Sequence, residues 1–144
     1  MMSDKAKDFF STGYNCAQAV LRAVLEEKKL YFDQAPIVSA GFGGGISRRG
    51  EMCGAVTGAV MAIGMLTHET EQDVSKHKAL TYQKVTELIN KFNEIHETPI
   101  CSELVGIDIT DPEARKKASD EGIFSKICPK FVEDAAKIVL ELFP

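Results

Sequence analysis

The fold is decided by one stretch of sequence, Glu51-Met52-Cys53-Gly54-Ala55-Val56-Thr57-Gly58-Ala59-Val60-Met61-Ala62-Ile63-Gly64-Met65-Leu66. This segment is apolar nearly all round, which is typical of a helix buried at the centre of a domain. Gly54, Gly58 and Ala62 recur at every fourth position and form one stripe of small residues. Neighbouring helices can approach such a stripe closely, so the sequence predicts a helical bundle around a central buried helix, Glu51 to Leu66.

Helical patterns continue on both sides of this segment. Residues 5–27 place apolar side chains at helical spacing, with a break predicted near Gly13. Residues 69–96 predict a long amphipathic helix, and shorter helices are predicted over 34–40, 98–105, 111–120 and 129–143. No strand-like alternation or internal repeat is present in the sequence. We therefore expect an all-α fold, a compact bundle of about five to seven helices, in a single domain over residues 1–144.

Composition and charge exclude several classes of protein. The hydrophobic fraction of 44% and the charged fraction of 26% are ordinary for a soluble globule. The net charge of −4 gives no reason to expect nucleic-acid binding. The first residues lack the apolar region of a signal peptide, and the apolar run Met52 to Leu66 is shorter than the roughly 20 residues of a membrane span. We expect a cytoplasmic protein with no membrane insertion, in which thiols stay reduced.

The chain contains four cysteines, each predicted to lie at the start of a helix: Cys16, Cys53, Cys101 and Cys128. Cys16 follows Asn15, a good N-cap residue, and Cys128 is itself the predicted N-cap before Pro129. A helix N-terminus offers unpaired N–H groups and a partial positive charge, and both stabilise a thiolate. Four such cysteines indicate one shared redox or metal site. The alternative is that each cysteine is simply a small buried apolar residue.

The spacing of these cysteines excludes the compact cysteine sites. No C-x-x-C pair is present, so a zinc finger and a thioredoxin-type active site are excluded, and without C-x-x-C-H no c-type haem is expected. The three histidines show no metal-binding spacing, and none is expected to be a ligand. Any site shared by the cysteines must be assembled by tertiary packing.

A glycine-rich loop, residues 41–50, precedes the central helix. Its candidate anion-binding residues are Gly43, Gly44, Gly45, Arg48 and Arg49, because backbone N–H groups and guanidinium groups can hold an anion. The loop matches neither G-x-G-x-x-G nor a P-loop, and neither a nicotinamide nor a flavin cofactor is expected. The favoured interpretation is a turn whose glycines allow positive φ or close approach.

These residues resemble those of a known family of redox-active proteins, named for four cysteines and a Cys-Gly-Ala-x-x-Gly signature. Its signature stands here as Cys53-Gly54-Ala55-Val56-Thr57-Gly58, and Gly13-Tyr14-Asn15-Cys16 resembles its first cysteine block. The resemblance runs from about residue 3 to residue 142. It implies a small helical protein with a redox or metal role at the four cysteines. A similar region occurs in split-Soret cytochromes, for which an iron–sulfur centre has been proposed.

Three functions remain open at this point. The first is binding of an iron–sulfur cluster by four thiolates, for electron transfer with a redox partner protein. The second is a metal-free thiol–disulfide oxidoreductase or redox sensor, which requires two cysteines close enough to bridge. The third is a structural zinc module. We favour the iron–sulfur cluster over disulfide chemistry, and both over zinc. The apolar stripes would also suit a homodimer interface.

Overall fold

Helices make up the regular structure of the computed structural model, which describes residues 2–144. Their bounds are α1 (Met2–Ser11), α2 (Cys16–Glu27), α3 (Ala35–Val38), α4 (Gly43–Ile46), α5 (Gly54–His68), α6 (Val74–His96), α7 (Cys101–Val105), α8 (Pro112–Asp120) and α9 (Ile123–Leu142). A 3₁₀ turn covers Ala40–Phe42. Six of the helices have nine residues or more, so the predicted all-α fold is confirmed. None of the described helices is long and apolar enough to cross a membrane.

Helix α5 is the central buried helix that the sequence predicts. It packs against α2, α6 and α9. Its fully buried side chains are Ala55, Val56, Ala59, Ala62 and Ile63. The helix begins at Gly54 rather than Glu51, because Met52 forms an antiparallel β-bridge with Ile100 and keeps the preceding backbone extended.

The small-residue stripe of α5 is where its backbone meets that of α2. A Cβ atom at Gly58 would lie only 2.5 Å from the carbonyl oxygen of Ala17, and one at Gly54 would lie 3.1 Å from Cβ of Cys16. Only glycine leaves room for such an approach. The stripe therefore sets the distance between the two helices and brings Cys16 next to the start of α5.

The start of α2 is fixed by the cap that the sequence indicates. Asn15 Oδ1 accepts a hydrogen bond from the Gln18 amide at 2.9 Å, and Gln18 Oε1 accepts one from the Asn15 amide at 2.9 Å. This reciprocal pair is a capping box. Asn15 Nδ2 also donates to the Ala40 carbonyl at 2.9 Å, which ties the cap to the loop before α4. Cys16 is thus the first residue of its helix, as predicted.

The predicted start of the last helix is wrong. Helix α9 begins at Ile123, so Cys128 lies in its second turn rather than at an N-cap, and Pro129 lies inside the helix. Proline lacks the N–H that would bond the carbonyl of Ser125, and for this reason it usually marks a helix start or a break. Here the buried face of α9 continues through Cys128, Phe131 and beyond, and its packing outweighs the lost hydrogen bond.

Two other boundaries also differ from the prediction. Helix α7 begins at Cys101 with Ile100 as N-cap, instead of starting near Thr98. Thr98 instead accepts a hydrogen bond from the Ile100 amide through its hydroxyl, at 3.1 Å. Helix α6 begins at Val74, and its N-cap Asp73 accepts a hydrogen bond from the Lys76 amide.

The contact between α2 and α5 predicts opposite effects for two glycine substitutions in α5. Gly58→Ala should lower the free energy of unfolding by about 1–3 kcal/mol, because the new methyl group overlaps the backbone of Ala17. Gly64→Ala is the matched control, since nothing lies within 4 Å of its Cβ position. It should raise the free energy of unfolding by about 0.5–1 kcal/mol through helix propensity. Urea titrations of the two variants test this, and equal effects would contradict the assigned contact.

Candidate functional site

Two of the cysteines are held together by a short antiparallel ribbon, residues 50–53 and 99–102. Its centre is the bridge between Met52 and Ile100. The amide of Cys53 donates to the Pro99 carbonyl at 2.7 Å. The amide of Cys101 donates to the Glu51 carbonyl at 2.6 Å. Successive residues of extended backbone point to opposite faces. Cys53 and Cys101 directly follow the bridged residues and line the same cleft, whereas Met52 and Ile100 do not line it.

The glycine-rich loop packs directly on this ribbon. Its residues 44–48 all have positive φ, with values of 65°, 66°, 66°, 48° and 67°. The Glu51 amide donates to the Gly45 carbonyl at 2.9 Å. A Cβ atom at Gly45 would lie 2.7 Å from Cβ of Cys101. The structure thus confirms both uses that the sequence predicts for the glycines, positive φ and close approach.

The other two cysteines interact with each other. Cys16 begins α2 and Cys128 lies in α9, and their thiols are close enough to share a hydrogen bond. With the Cys16 thiol as donor, this bond raises the pKa of Cys16 well above 9.0, and burial raises it further. The same bond lowers the pKa of Cys128 below 9.0, against the effect of burial. Cys128 is therefore the cysteine that most readily becomes a thiolate.

Burial dominates the electrostatics of the ribbon cysteines. It raises the pKa of Cys53 from 9.0 to about 12, although the N–H groups of Ala55 and Val56 favour the thiolate and lower that pKa. Burial also raises the pKa of Cys101 to about 11. The N–H groups at the start of α5 act in the expected direction, but desolvation of the thiolate is the larger effect.

The four cysteines line one cleft with a volume of about 1170 Å³. Negative charge on Cys53, Cys101 or Cys128 raises the pKa of Cys16, and charge on Cys101 or Cys128 raises that of Cys53. The structure therefore brings the four cysteines into one electrostatically coupled group. Within residues 2–144, however, no three or more His, Cys, Asp or Glu side chains are grouped as ligands of one metal ion.

The structure places the five residues of the predicted anion site as follows. Gly43, Gly44 and Arg48 line the cleft, whereas Gly45 packs against Cys101. Arg49 instead forms an exposed ion pair with Glu51, with Nε and Oε2 3.1 Å apart.

Sequence reasoning missed two basic residues of the cleft, Arg115 and Lys116 in α8. They lie in a short polar helix, and no motif or hydrophobic pattern distinguishes them from other surface residues. Two histidines have contacts elsewhere. His96 Nε2 lies 2.8 Å from Asp134 Oδ2, and His77 Nε2 lies 2.8 Å from the Gly64 carbonyl oxygen.

Comparison with known proteins finds one family model that matches the part of the chain containing the four cysteines. The family model described as "Putative redox-active protein (C_GCAxxG_C_C)" matches residues 14–142, a range that includes all four cysteines. An uncharacterized protein of Archaeoglobus fulgidus is 28% identical over 134 residues, which cover 88% of this chain and 82% of that protein. No solved structure matches the chain. The chain belongs to the C_GCAxxG_C_C family.

Proposed function

We propose that the four cysteines are the redox centre of this protein and that they ligate an iron–sulfur cluster. The observation that carries the proposal is that Cys16, Cys53, Cys101 and Cys128 all line one cleft. Four thiolates are the usual ligand set of [2Fe–2S] and [4Fe–4S] clusters. When bound, such a cluster supplies one-electron transfer, and a redox partner protein would exchange the electron.

The arrangement of the thiols favours a cluster over a single zinc ion. Tetrahedral zinc with Zn–S bonds of about 2.3 Å requires its thiolates about 3.8 Å from one another. Within residues 2–144 no three candidate ligands are grouped around one such point. A cluster contains several iron atoms, each bound to its own thiolates, and therefore accepts a wider set of sulfur positions.

The surrounding backbone suits a polynuclear centre. Glycines stand against two of the cysteines, Gly45 beside Cys101 and Gly54 beside Cys16, so no side chain fills these parts of the wall. The N–H groups of Ala55 and Val56 lower the pKa of Cys53 and so favour its thiolate. Hydrogen bonds to a ligating sulfur tune the reduction potential of a cluster.

Ligation requires the thiols to lose their protons. The pKa of Cys53 is about 12 and that of Cys101 about 11, so binding at neutral pH releases protons from both residues. Metal affinity should consequently rise with pH in this range.

Substitution of Cys53 tests the proposal. Cys53→Ser, made and purified without oxygen, should lose most of its iron and acid-labile sulfide in equal proportion, because one of the four ligands is removed. Met52→Leu is the matched control: Met52 is adjacent in sequence but does not line the cleft. Iron, zinc and sulfide contents are measured for both variants and the wild type. Unchanged iron in Cys53→Ser would exclude Cys53 as a ligand.

The hydrogen bond between Cys16 and Cys128 favours a second candidate, dithiol–disulfide chemistry. The Cys128 thiolate attacks one sulfur of a partner disulfide and forms a mixed disulfide, and Cys16, after losing its proton, resolves it. In the overall exchange, the two thiols lose two protons and two electrons, and the partner disulfide leaves as two thiols. The Cys16 thiol assists the first step because its hydrogen bond lowers the pKa of Cys128.

Alkylation of the metal-free protein tests this role for Cys128. At pH 8, iodoacetamide should modify Cys128 first, since its pKa lies below 9.0 while those of Cys53 and Cys101 are about 12 and 11. Cys16→Ala should slow this reaction, because loss of the donor raises the pKa of Cys128 and leaves less thiolate at that pH.

Cys16→Ser is the control, since its hydroxyl group keeps a hydrogen-bond donor at the same position. Peptide mass spectrometry over a pH series gives the rate at each cysteine. Equal rates at Cys128 in the wild type, Cys16→Ala and Cys16→Ser would argue against the assigned hydrogen bond.

A further inference from the structure

The cysteine cleft is basic, although the chain as a whole is acidic. Its charged lining residues are Arg48, Arg115, Lys116 and Asp120, whereas the net charge of the chain is −4. Lys116 Nζ and Asp120 Oδ2 form an ion pair at 2.7 Å. The unbalanced positive charge of the lining therefore comes from Arg48 and Arg115.

Neither arginine is paired with a carboxylate in the part of the chain that the structure describes. Arg115 is half-buried, and its Nη1 donates to the Ile109 carbonyl at 2.9 Å, which holds the guanidinium group at the wall of the cleft. This bond uses one of five N–H donors. Arg48 is exposed and follows the left-handed run of the loop, at φ 67°.

Apolar side chains from three elements complete the lining. Phe10 comes from α1, Phe124 and Phe131 from α9, and Leu104 from α7. Ligand pockets typically combine such an apolar wall with a few polar groups that fix orientation, and their volumes are about 300–1,000 Å³. The volume of this cleft, about 1170 Å³, admits a small organic molecule together with water.

We infer that the cleft binds an organic anion with an apolar body, whose acidic group contacts Arg48 and Arg115 and whose body lies on the phenylalanine side chains. The four cysteines line the same cleft, so the anion is bound beside the proposed redox centre. That the cysteines form a redox centre rests on the proposed function, whereas the binding of the anion does not.

A pair of fluorescent probes tests the binding. 8-Anilinonaphthalene-1-sulfonate (ANS) has an apolar body and one acidic group, and N-phenyl-1-naphthylamine has the same body without the acid. The wild type should bind ANS more tightly. Arg48→Ala/Arg115→Ala should raise the Kd of ANS about tenfold, from lost charge-assisted hydrogen bonds, and leave the Kd of the neutral probe unchanged.

Two further variants keep this test decisive. Arg49→Ala is the matched control, because Arg49 pairs with Glu51 and does not line the cleft, and its Kd for ANS should equal that of the wild type. Arg48→Ala alone should still weaken ANS binding several-fold if the double variant is too unstable to measure. Wild-type ANS affinity in the Arg48 variants, or a parallel loss of the neutral probe, would overturn the inference.

The same proteins separate this inference from the function of the cysteines. Arg48→Ala/Arg115→Ala should keep its iron, sulfide and thiol reactivity, whereas Cys53→Ser should lose iron and keep the preference for ANS over the neutral probe. If the wild type contains iron but does not prefer ANS over the neutral probe, the anion site alone is contradicted. If the wild type prefers ANS but has neither iron nor a reactive cysteine pair, the redox proposal alone is contradicted.

Discussion

The backbones of α2 and α5 meet where Gly54 and Gly58 face Ala17, and the geometry of the cleft depends on this contact. Cys16 is the first residue of α2, and Cys53 immediately precedes α5. The close approach therefore brings the positive ends of two helices to the same cleft. Two such ends repel each other unless negative charge lies between them. A group of thiolates, or the centre that they bind, is the kind of charge that relieves this repulsion.

Burial and the negative charge of neighbouring thiolates both raise the pKa of these thiols. The low polarity around Cys53 raises its pKa to about 12, in spite of the two N–H groups that favour its thiolate. Each thiolate formed also makes the next one harder to form, because charge on Cys101 and Cys128 raises the pKa of Cys53 as well. Ionisation of the whole group is therefore harder than ionisation of Cys128 alone, because the pKa of Cys128 is lowered while those of the other three cysteines are raised. The proposed cluster binding and the proposed disulfide exchange would therefore use different charge states of one set of residues.

The sequence predicts those parts of the structure that local patterns encode. Asn15 and Gln18 form the capping box that starts α2, and the stripe of Gly54 and Gly58 becomes the packing face of α5. The predicted position of Cys128, at the N-cap of the last helix, was wrong. Pro129 is a strong local signal for a helix start, and the packing of α9 overrides it. The pairing of residues 50–53 with 99–102 rests on contacts between distant segments, which no local pattern reports. The same is true of Arg115, whose role in the cleft depends on where α8 docks.

One short segment connects the ribbon that carries Cys101 with the basic lining of the cleft. Ile46 has φ 66°, a conformation that costs a β-branched residue about 1–2 kcal/mol. Backbone hydrogen bonds hold it there on both sides, from the Ser47 amide to the Gly41 carbonyl and from the Glu51 amide to the Gly45 carbonyl. Strain of this kind persists only where the surrounding structure over-determines it. Here it lets the loop contact Cys101 through Gly45 and, three residues later, direct Arg48 to the same cleft. The left-handed run therefore places backbone against Cys101 and a cation in the cleft within four residues of chain.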